Sequence, residues 1–523
     1  MINSTASFRC RLKSSNGESR LWPTRVLAAL CDAELWIFDF LFMIRIEPGA
    51  VAYCCERFIV RIMHIKKYDF DYSRRHFMEK TAAGIGGAGV LSGLWPDISR
   101  SADIQSAYPE ELLHIEAYTK GAVNVGDVIN ADNIDLVQDL VDPILYQEVK
   151  QDGREFFIEA GPTDAEMMFP PYFLDATLRN QGQAMFGEDG NVYTREGAPW
   201  IGGLPFPDPQ TGSEAIANIT LSWGRHDQSV YAIPSQVVNA NGENSYEYDF
   251  MWAEMQCTGL VRPGVPSPYL EGHDDKVRFQ MILFTHTNDV RGSAFLNIWK
   301  YDQREFPDLF GYLPQFKRVR RFPANQRFEP YMPGMNLFLS DAWASGDPML
   351  TWGNFKIIHR GPFLGSIANQ WLPENDNWEP GLVGGPKNQS YYRVGKSLIP
   401  EVIIFEGEPI GYPRAPVSKR RIYVDARNMG IPQAISYDRN GLPWKGFEAG
   451  AGQRKSGEHE VRTSDGRLEW SWDWVISHDV QANNVTRLYQ GEQCRGNQRT
   501  ALDPDIDMMN EYMTVQALRR LGI

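Results

Sequence analysis

The sequence predicts a mainly β protein built around one large, curved antiparallel sheet. Apolar and polar residues alternate through several stretches, which is typical of strands with one buried face. Asn440-Gly441 joins two of these stretches and favours a two-residue type I′ turn. The rhythm of strand, helix and parallel strand is missing, so a doubly wound sheet is not predicted. The predicted strands are 246–256, 276–286, 294–301, 401–408, 421–426, 433–437, 442–447 and 468–475.

Helical periodicity is limited to the two ends of this domain. Apolar residues recur at helical spacing in 110–118, 134–141 and 144–149, and Pro143 separates the second segment from the third. A last segment of this kind is 508–521. Between them no further helix is predicted.

Composition and charge exclude several classes of protein. The 523 residues are 43% hydrophobic and 23% charged, which is not the composition of a disordered chain. No run approaches the ~18 uncharged apolar residues of a membrane-spanning helix. The net charge is −14, and residues 1–107 hold 14 basic against 11 acidic residues, so the remaining body is strongly acidic. Such a body repels phosphate backbones, and nucleic acid is not a predicted partner.

A short motif predicts export. Arg74-Arg75 precedes a weakly hydrophobic Gly/Ala-rich stretch, an order that resembles a twin-arginine export signal. Such signals stand at N-termini, and a start at Met63 would place this one normally. The predicted location is the periplasm of a Gram-negative-type envelope. We therefore predict a translated upstream or nonfunctional extension over 1–62, the signal over 63–107 and a single β-rich domain over 108–523.

The cysteines follow the same division. Four of the six lie within the first 62 residues, and no CxxC pair suggests structural zinc. In an oxidising compartment the other two, Cys257 and Cys494, are the candidates for a disulfide.

Motifs of common enzyme chemistry are missing from the sequence. None of the histidines after the signal has the HxH, HExxH or HxxxH spacing of a metal site. A GxSxG nucleophile elbow and a phosphate-binding loop are absent as well. We therefore predict no cofactor, no metal and no catalytic residue. An enzyme would need at least two histidines to meet a carboxylate in one cavity, the candidates being His226, His273, His286, His359 and His478.

One predicted strand is unusually aromatic. Leu468, Trp470, Trp472 and Trp474 alternate with polar residues and are expected to share one face. Such a face either packs against helices or lines an apolar site.

One cluster is strongly basic. Arg318, Arg320 and Arg321 follow each other closely in a chain that is otherwise acidic. They either form salt bridges with the acidic body or contact an anionic head group or a partner.

Several phrases of the sequence occur together in a recognisable combination. They are 199–207 (PWIGGLPFP), 313–321 (LPQFKRVRR), 339–348 with 351–352, 425–427 and 437–441. With these phrases, the chain from roughly residue 112 to the C-terminus resembles a bacterial domain-of-unknown-function family, number 1329, often described as outer-membrane lipoprotein-sorting-like. The resemblance implies a LolA/LolB-like fold, an incomplete antiparallel β-barrel whose helices plug a hydrophobic cavity. The twin-arginine-like signal departs from the ordinary secretory signal of this family and suggests folding before export.

The resemblance also implies a function, because relatives are associated with envelope transport of hydrophobic molecules beside resistance-nodulation-division-type permeases. With the aromatic strands and the export signal, it predicts a periplasmic carrier of a lipid, an acyl chain, or a steroid-like or aromatic compound. Two alternatives stay open: a periplasmic enzyme acting on a hydrophobic substrate, and a structural envelope protein without a ligand. The residues expected near the carrier's cavity are Trp200, Phe206, Trp299, Phe310, Tyr312, Trp343 and Trp352.

Overall fold

The computed structural model describes residues 11–13, 19–21, 104, 107–222, 224–341, 346–366, 377–456, 458–463 and 466–522. The chain divides into two compact units, Met1–His64 and Ile65–Ile523. In the first unit the described residues form two antiparallel strands, β1 (Arg11–Lys13) and β2 (Ser19–Leu21). The predicted export motif at Arg74-Arg75 lies outside the described residues.

Strands dominate the second unit, as the alternating sequence patterns predict. They are β3 (Val128–Ile129), β4 (Phe156–Ile158), β5 (Ala184–Phe186), β6 (Val192–Thr194), β7 (Gln228–Val238), β8 (Asn244–Gln256), β9 (Lys276–His286), β10 (Ala294–Lys300), β11 (Asp308–Leu313), β12 (Arg318–Phe322), β13 (Gly353–Gly365), β14 (Gly381–Val383), β15 (Tyr391–Arg393), β16 (Gly395–Glu408), β17 (Val417–Asp425), β18 (Gln433–Asp438), β19 (Pro443–Gln453), β20 (Lys455–Ser456), β21 (His459–Glu460), β22 (Trp470–Asp479), β23 (Asn484–Tyr489), β24 (Gln493–Cys494), β25 (Gln498–Arg499) and β26 (Ala501–Leu502).

Helices lie mostly before and after the strand-rich part. The α-helices are α1 (Glu110–Leu113), α2 (Ile115–Tyr118), α3 (Pro143–Asp152), α4 (Pro171–Asn180), α5 (Gly212–Leu221), α6 (Met508–Tyr512) and α7 (Val515–Leu521). Short 3₁₀ helices are Ile134–Leu140, Ala165–Met168, Pro314–Phe316 and Met349–Thr351. The helices predicted at both ends are confirmed, whereas α4 and α5 were not predicted.

One sheet of 16 strands organises the second unit. Its order is β12-β11-β10-β9-β8-β7-β23-β22-β19-β18-β17-β16-β4-β3, with β13 also paired to β16 and β26 to β7. The pairs are antiparallel except β16 with β4. The outermost strands β12 and β3 stand at opposite ends of this order, so the sheet is open. The predicted class, a mainly β protein with a large sheet and few helices, is confirmed.

The middle of the sheet is buried on both faces. We define the inner face as the one that carries Tyr231, Trp252 and Phe447, which pack in one core with residues of α4 and α5. On the opposite face, Met251 and neighbouring side chains pack against α6 and α7, with Leu518 in the same cluster. Alternation along β7 and β8 therefore sends side chains into two different cores.

A β-bulge at Asp473 interrupts this alternation in β22. Trp474 lies opposite Gly450 and Trp472 lies opposite Ala451, so Asp473 is an extra residue without a partner in β19. An extra residue reverses the facing of the side chains beyond it.

The two tryptophans beside the bulge consequently separate. The Trp472 ring meets Tyr231 on the inner face at 5.5 Å between centroids. Trp474 is buried on the opposite face, with Tyr392 at 5.9 Å. The prediction that Trp470, Trp472 and Trp474 share a face is therefore wrong for Trp474.

The turn between β18 and β19 lies where the Asn-Gly pair predicts it, but its type differs. A type I′ turn needs a positive φ at both central residues. Here Gly441 has a φ of 76°, whereas Asn440 does not have a positive φ. The Asp438 carboxylate accepts hydrogen bonds from the backbone N–H groups of Asn440 and Leu442 at 2.8 and 2.9 Å, and so closes a longer loop.

A segment that follows β12 crosses the inner face; we call residues 327–341 the cover segment. Tyr331, Met335 and Leu337 join the inner core. The Asn336 side chain donates hydrogen bonds to the carbonyl oxygens of Ser477 and Asn484 at 2.8 and 2.6 Å, which ties the segment to β22 and β23.

The end of the cover segment is held by buried charges. Asp341 pairs with Arg420 and with Lys445, each at 2.9 Å. Arg327, at the other end, pairs with Asp347 at 2.8 Å. These contacts fix both ends of the segment to the body of the protein.

Candidate ligand-binding cleft

Two cavities lie on the inner face of the sheet, and Phe447 lines both of them. The first, of about 30 Å³, lies between the sheet and the cover segment. The second, of about 110 Å³, lies between the sheet, the end of α5 and residues 429–431. Because they share a wall, we call the two together the apolar cleft.

Alternate residues of neighbouring strands form the walls, as the two-residue period of a strand requires. In β8 these are Phe250 and Trp252 at the first cavity and Glu254 at the second. The other strands contribute Tyr231 and Ile233 from β7, Phe447, Ala449 and Ala451 from β19, Trp470, Trp472 and Val475 from β22, and Leu488 from β23.

The cover segment closes the first cavity with Tyr331, Met335 and Leu337. The Tyr331 ring lies 6.2 Å from that of Trp252. Methionine is unbranched and polarizable, so it adapts to differently shaped apolar neighbours. The wall that the cover segment forms is therefore more adaptable than the wall that the strands form.

The second cavity has two charged residues in an otherwise largely apolar lining, Arg225 and Glu254. Glu254 is satisfied by the protein, since it accepts hydrogen bonds from Trp252 Nε1 at 2.8 Å and Gln280 Nε2 at 3.0 Å. These hydrogen bonds therefore satisfy the buried carboxylate of Glu254.

Arg225 has a different environment. Its side chain is surrounded by aromatic rings, with the guanidinium carbon 5.4 Å from the centroid of Phe169, 5.1 Å from Phe173 and 5.9 Å from Trp470. Only 7% of the residue is exposed. Guanidinium groups stack well on ring faces, but a ring does not neutralise the charge.

Burial acts on the charge of Arg225. Loss of water lowers the pKa of its guanidinium to about 9, and the negative charge of Asp425 opposes this shift. Asp425 is itself bound by Arg427 through contacts of 3.0 and 2.7 Å. The Arg225 guanidinium is thus charged at neutral pH.

The backbone around Arg225 is held in place by its neighbours. Arg225 has a φ of 61°, the left-handed region that side chains other than glycine rarely occupy. His226 Nε2 hydrogen-bonds the carbonyl oxygen of Trp470 at 3.1 Å. Asp227 accepts hydrogen bonds from the backbone N–H groups of Val261 and Arg262, both at 2.9 Å.

Two of the candidate histidines, His226 and His478, have different partners. His226 Nδ1 lies 2.8 Å from the Tyr172 hydroxyl and 3.3 Å from Asp503. Burial would raise the pKa of Asp503, but its hydrogen bonds with His226 and with the Tyr172 hydroxyl hold this pKa below its usual value. His478 instead contacts Glu148 at 2.7 Å. Among the described residues, no group of three His, Cys, Asp or Glu side chains could hold a metal ion.

His478 belongs to a buried charge network between α3 and the sheet. Arg154 contacts Glu148 at 2.5 Å and Glu448 at 2.7 Å, and Lys396 also pairs with Glu448. Burial would raise the pKa of Glu448, but the neighbouring cations Arg154 and Lys396 lower it to about 2. Hydrogen bonding to Glu148 outweighs burial and raises the pKa of His478.

The residues predicted near the cavity are spread over several cores. None of the six described ones lines the apolar cleft. Trp200 is buried and donates a hydrogen bond from Nε1 to the Gly203 carbonyl oxygen at 2.8 Å, and Phe206 stacks on Phe186 at 5.2 Å. Trp352 donates to Asp347 at 2.8 Å.

The remaining predicted aromatics lie toward one end of the sheet. The Trp299 ring contacts the guanidinium groups of Arg278 and Arg327, whose central carbons lie 5.0 and 5.4 Å from its centroid. Phe310 and Tyr312 pack in the core of the opposite face. Trp343 lies outside the described residues.

The basic cluster forms the edge strand β12. Arg321 pairs with Asp308, the Arg320 guanidinium lies 4.2 Å from the ring centroid of Phe316, and Arg318 is exposed. Charged residues on an edge strand hinder pairing with other chains. Contact with an anionic head group or a partner stays a prediction.

Cys257 and Cys494 are two separate buried thiols, so the predicted disulfide is not formed. The Cys494 sulfur lies 3.8 Å from the Phe250 carbonyl oxygen, in the middle of β8, whereas Cys257 directly follows the end of this strand. At about 3.4 Å per residue, these places are roughly 20 Å apart along the strand. A disulfide requires Cα atoms within about 7 Å.

No helix in the part of the chain that the structure describes is both long and apolar enough to cross a membrane. No curated protein sequence matches the chain.

The solved structures that are similar to this chain include the following three. A putative outer membrane lipoprotein-sorting protein domain from Vibrio parahaemolyticus is 16% identical, with 56% of this chain and 92% of that chain covered and a TM-score of 0.36. A DUF1329 family protein from Desulfovibrio piger is 12% identical, with coverage of 59% and 97% and a TM-score of 0.38. A LolA superfamily protein from Nitrosomonas europaea is 11% identical, with coverage of 58% and 97% and a TM-score of 0.32.

A family model of proteins of unknown function, DUF1329, matches residues 128–519. This range holds the strands of the large sheet, the cover segment and the apolar cleft. It also confirms the resemblance noted from the sequence phrases. The chain belongs to the DUF1329 family of proteins of unknown function.

Proposed function

We propose that this protein binds and carries an apolar molecule in the periplasm, with the ligand held in the apolar cleft. The observation that carries the proposal is the pair of cavities that share Phe447 in their linings and whose walls are mostly aromatic and aliphatic. Apolar concave sites with few polar groups are the usual form of small-molecule sites. The twin-arginine-like motif at Arg74-Arg75 supports export, and the family resemblance supports work beside an envelope permease.

Ligand binding requires the cleft to open. The two cavities have room for about one and about four water molecules, which is less than a lipid chain needs. We propose that the cover segment moves between its two fixed ends once the hydrogen bonds of Asn336 break, because it is a connection between strands and presents Met335 to the cleft. We propose that an incoming ligand displaces Tyr331, Met335 and Leu337 and takes their place against the sheet.

Affinity would then come from burial of apolar surface, at ~25 cal/mol per Å². A membrane or a partner protein that offers an equally dry environment would drive release. Because the sheet is packed on both faces, the cleft can open on the cover-segment side without exposing the opposite core.

A cleft-filling substitution tests this function. Ala451 lines the second cavity and is partly exposed, so Ala451→Trp fills the space without straining the core. We expect at least tenfold weaker binding of the neutral fluorophore N-phenyl-1-naphthylamine. Leu442→Trp is the matched control, because Leu442 is 47% exposed just before the same strand β19. Equal binding by Ala451→Trp and the wild type would contradict the assignment of the cleft.

A further inference from the structure

Arg225 differs from the other buried arginines. Eight arginines are buried among the described residues. Seven of them make hydrogen bonds or ion pairs with the protein. Arg225 makes contacts with aromatic rings but no hydrogen bond to a described residue, and its buried Nη1 has no partner.

A buried cation that makes no direct ion pair lowers the stability of a protein. The left-handed backbone of Arg225 adds a second unfavourable contribution at the same residue. The negative charge of Asp425 offsets the first contribution only in part, and His226 and Asp227 hold the loop firmly by hydrogen bonds. Strained and desolvated groups that are held in this way are typical of ligand sites.

The guanidinium also has the right position for a ligand group. Arg225 lines the 110 Å³ cavity, and Phe447 belongs both to the lining of this cavity and to that of the apolar 30 Å³ cavity. A molecule with one anionic end and an apolar chain could therefore place its charge at Arg225 and its chain toward the cover segment.

We propose that Arg225 binds the carboxylate head group of an anionic amphiphile, such as a fatty acid, whose chain lies in the apolar cleft. This inference rests on the proposed function and names the ligand class for the same site. A planar guanidinium matches a carboxylate, with which it forms two parallel hydrogen bonds. Arg225 is the single cation in the lining, and Glu254 in the same lining would repel a doubly charged phosphate.

Three ligands with the same chain separate the contributions of charge and chain. Laurate, dodecanol and dodecyl phosphate are each used to displace N-phenyl-1-naphthylamine from the mature protein. We expect laurate to bind about 10- to 100-fold more tightly than dodecanol, because a hydrogen bond between charged groups typically increases affinity by this factor. We expect dodecyl phosphate to bind more weakly than laurate.

Arg225→Met tests the residue, since methionine keeps much of the apolar stem and removes the charge. This variant should lose the preference for laurate and bind dodecanol as the wild type does. Its melting temperature without ligand should not fall, because an unpaired buried charge is removed. Arg225→Lys, which keeps the charge without the planar fork, should give an intermediate preference. Arg519→Met, at an exposed position of α7, is the control for loss of a positive charge.

The outcomes distinguish the head-group inference from the carrier function. Equal affinity of the wild type for laurate and dodecanol, with both binding, overturns the inference and leaves the carrier function standing. A laurate preference that survives in Arg225→Met also overturns it, and tighter binding of dodecyl phosphate overturns the choice of a carboxylate. If none of the ligands nor the fluorophore binds the wild type, the proposed function itself fails. If Arg225→Met does not fold, the wild-type comparison and Arg225→Lys decide.

Discussion

Trp472 and Trp474 stand two positions apart in one strand, yet they face opposite sides of the sheet. The bulge at Asp473 separates them, so Trp472 lies beside Tyr231 in the cleft and Trp474 beside Tyr392 in another core. One tryptophan therefore serves the candidate site and the other serves the packing of the fold.

This separation predicts that alanine at Trp474 mainly lowers stability, whereas alanine at Trp472 mainly changes ligand affinity. Trp474→Ala should lower the free energy of unfolding by about 3–5 kcal/mol, because Trp474 is fully buried. Its affinity for N-phenyl-1-naphthylamine should stay near that of the wild type. Trp472→Ala should change this affinity and cost less stability, because Trp472 is only partly buried. Denaturant unfolding and fluorophore titration of both variants check the prediction, and an equal effect on affinity would contradict it.

The cover segment should control how fast a ligand leaves. Asn336→Ala removes the hydrogen bonds to the carbonyl oxygens of Ser477 and Asn484, so we expect release of the fluorophore to become several times faster in stopped-flow experiments. Asn218→Ala is a matched control, since Asn218 also bonds two backbone groups, both of Phe206, away from the segment. Both variants should lose about 1–3 kcal/mol of stability. Equal release rates in the two variants would rule out a gating role.

Glu448 should be a critical charge of the buried network. Glu448→Gln leaves Arg154 and Lys396 with one carboxylate fewer, and we expect a loss of about 3–5 kcal/mol. The lowered pKa of Glu448, about 2, makes its contribution present above the unfolded value of about 4.3 and lost as the pH falls toward 2. Glu155→Gln is the control, because its ion pair with Arg393 is largely exposed and should contribute less than about 1 kcal/mol. If Glu448→Gln and Glu155→Gln lose equal stability, the buried network does not stabilise the protein as proposed.

His478 should make stability fall on the alkaline side. Its pKa is raised in the folded protein by Glu148, so its contribution is complete below the unfolded value of about 6.5 and is lost as the pH rises through the folded value. In His478→Gln the melting temperature should be lower at pH 6 and should change less between pH 6.5 and 9 than in the wild type. His114→Gln, at an exposed histidine, should keep the wild-type profile. If the melting temperature of His478→Gln changes with pH as that of the wild type does, this role of His478 is contradicted.

The basic edge strand is expected to contact anionic groups. Replacing Arg318, Arg320 and Arg321 with glutamine should weaken sedimentation with phosphatidylglycerol vesicles, by about 1 kcal/mol for each charge near the surface. Fluorophore binding in the cleft should not change. Stability should change little, since the Arg321–Asp308 pair is exposed on the arginine side. Unchanged vesicle binding would contradict the prediction.

Local patterns predicted several of the strands, but not all of them and not every helix. The long strands β7 and β13 were not among the predicted ones. The long alternating runs in β8, β9 and β22 have clear periods, and their positions agree with the structure. Helix α5 is short and apolar on several sides, so its period is weak. Its capping box, in which Thr211 and Glu214 bond each other's backbone, was the available signal.

The candidate site depends on contacts between distant parts of the chain, and this limits what a sequence can predict. The bulge at Asp473 follows from pairing between β22 and β19, so the facing of Trp474 had no local signal. The same holds for Arg225, which is an ordinary loop residue until the fold brings three rings around it. These are Phe169 just before α4, Phe173 in α4 and Trp470 in β22. Aromatic content predicted an apolar site but not which rings would line it.

The carrier function is tested most directly by native mass spectrometry of the exported protein after gentle purification from the periplasm. Solvent extraction then releases any bound molecules so that they can be identified. The account predicts an apolar ligand at near-stoichiometric amounts, with a carboxylate among its groups. A protein that releases nothing, and that also fails to bind lipid or steroid-like probes, would contradict it.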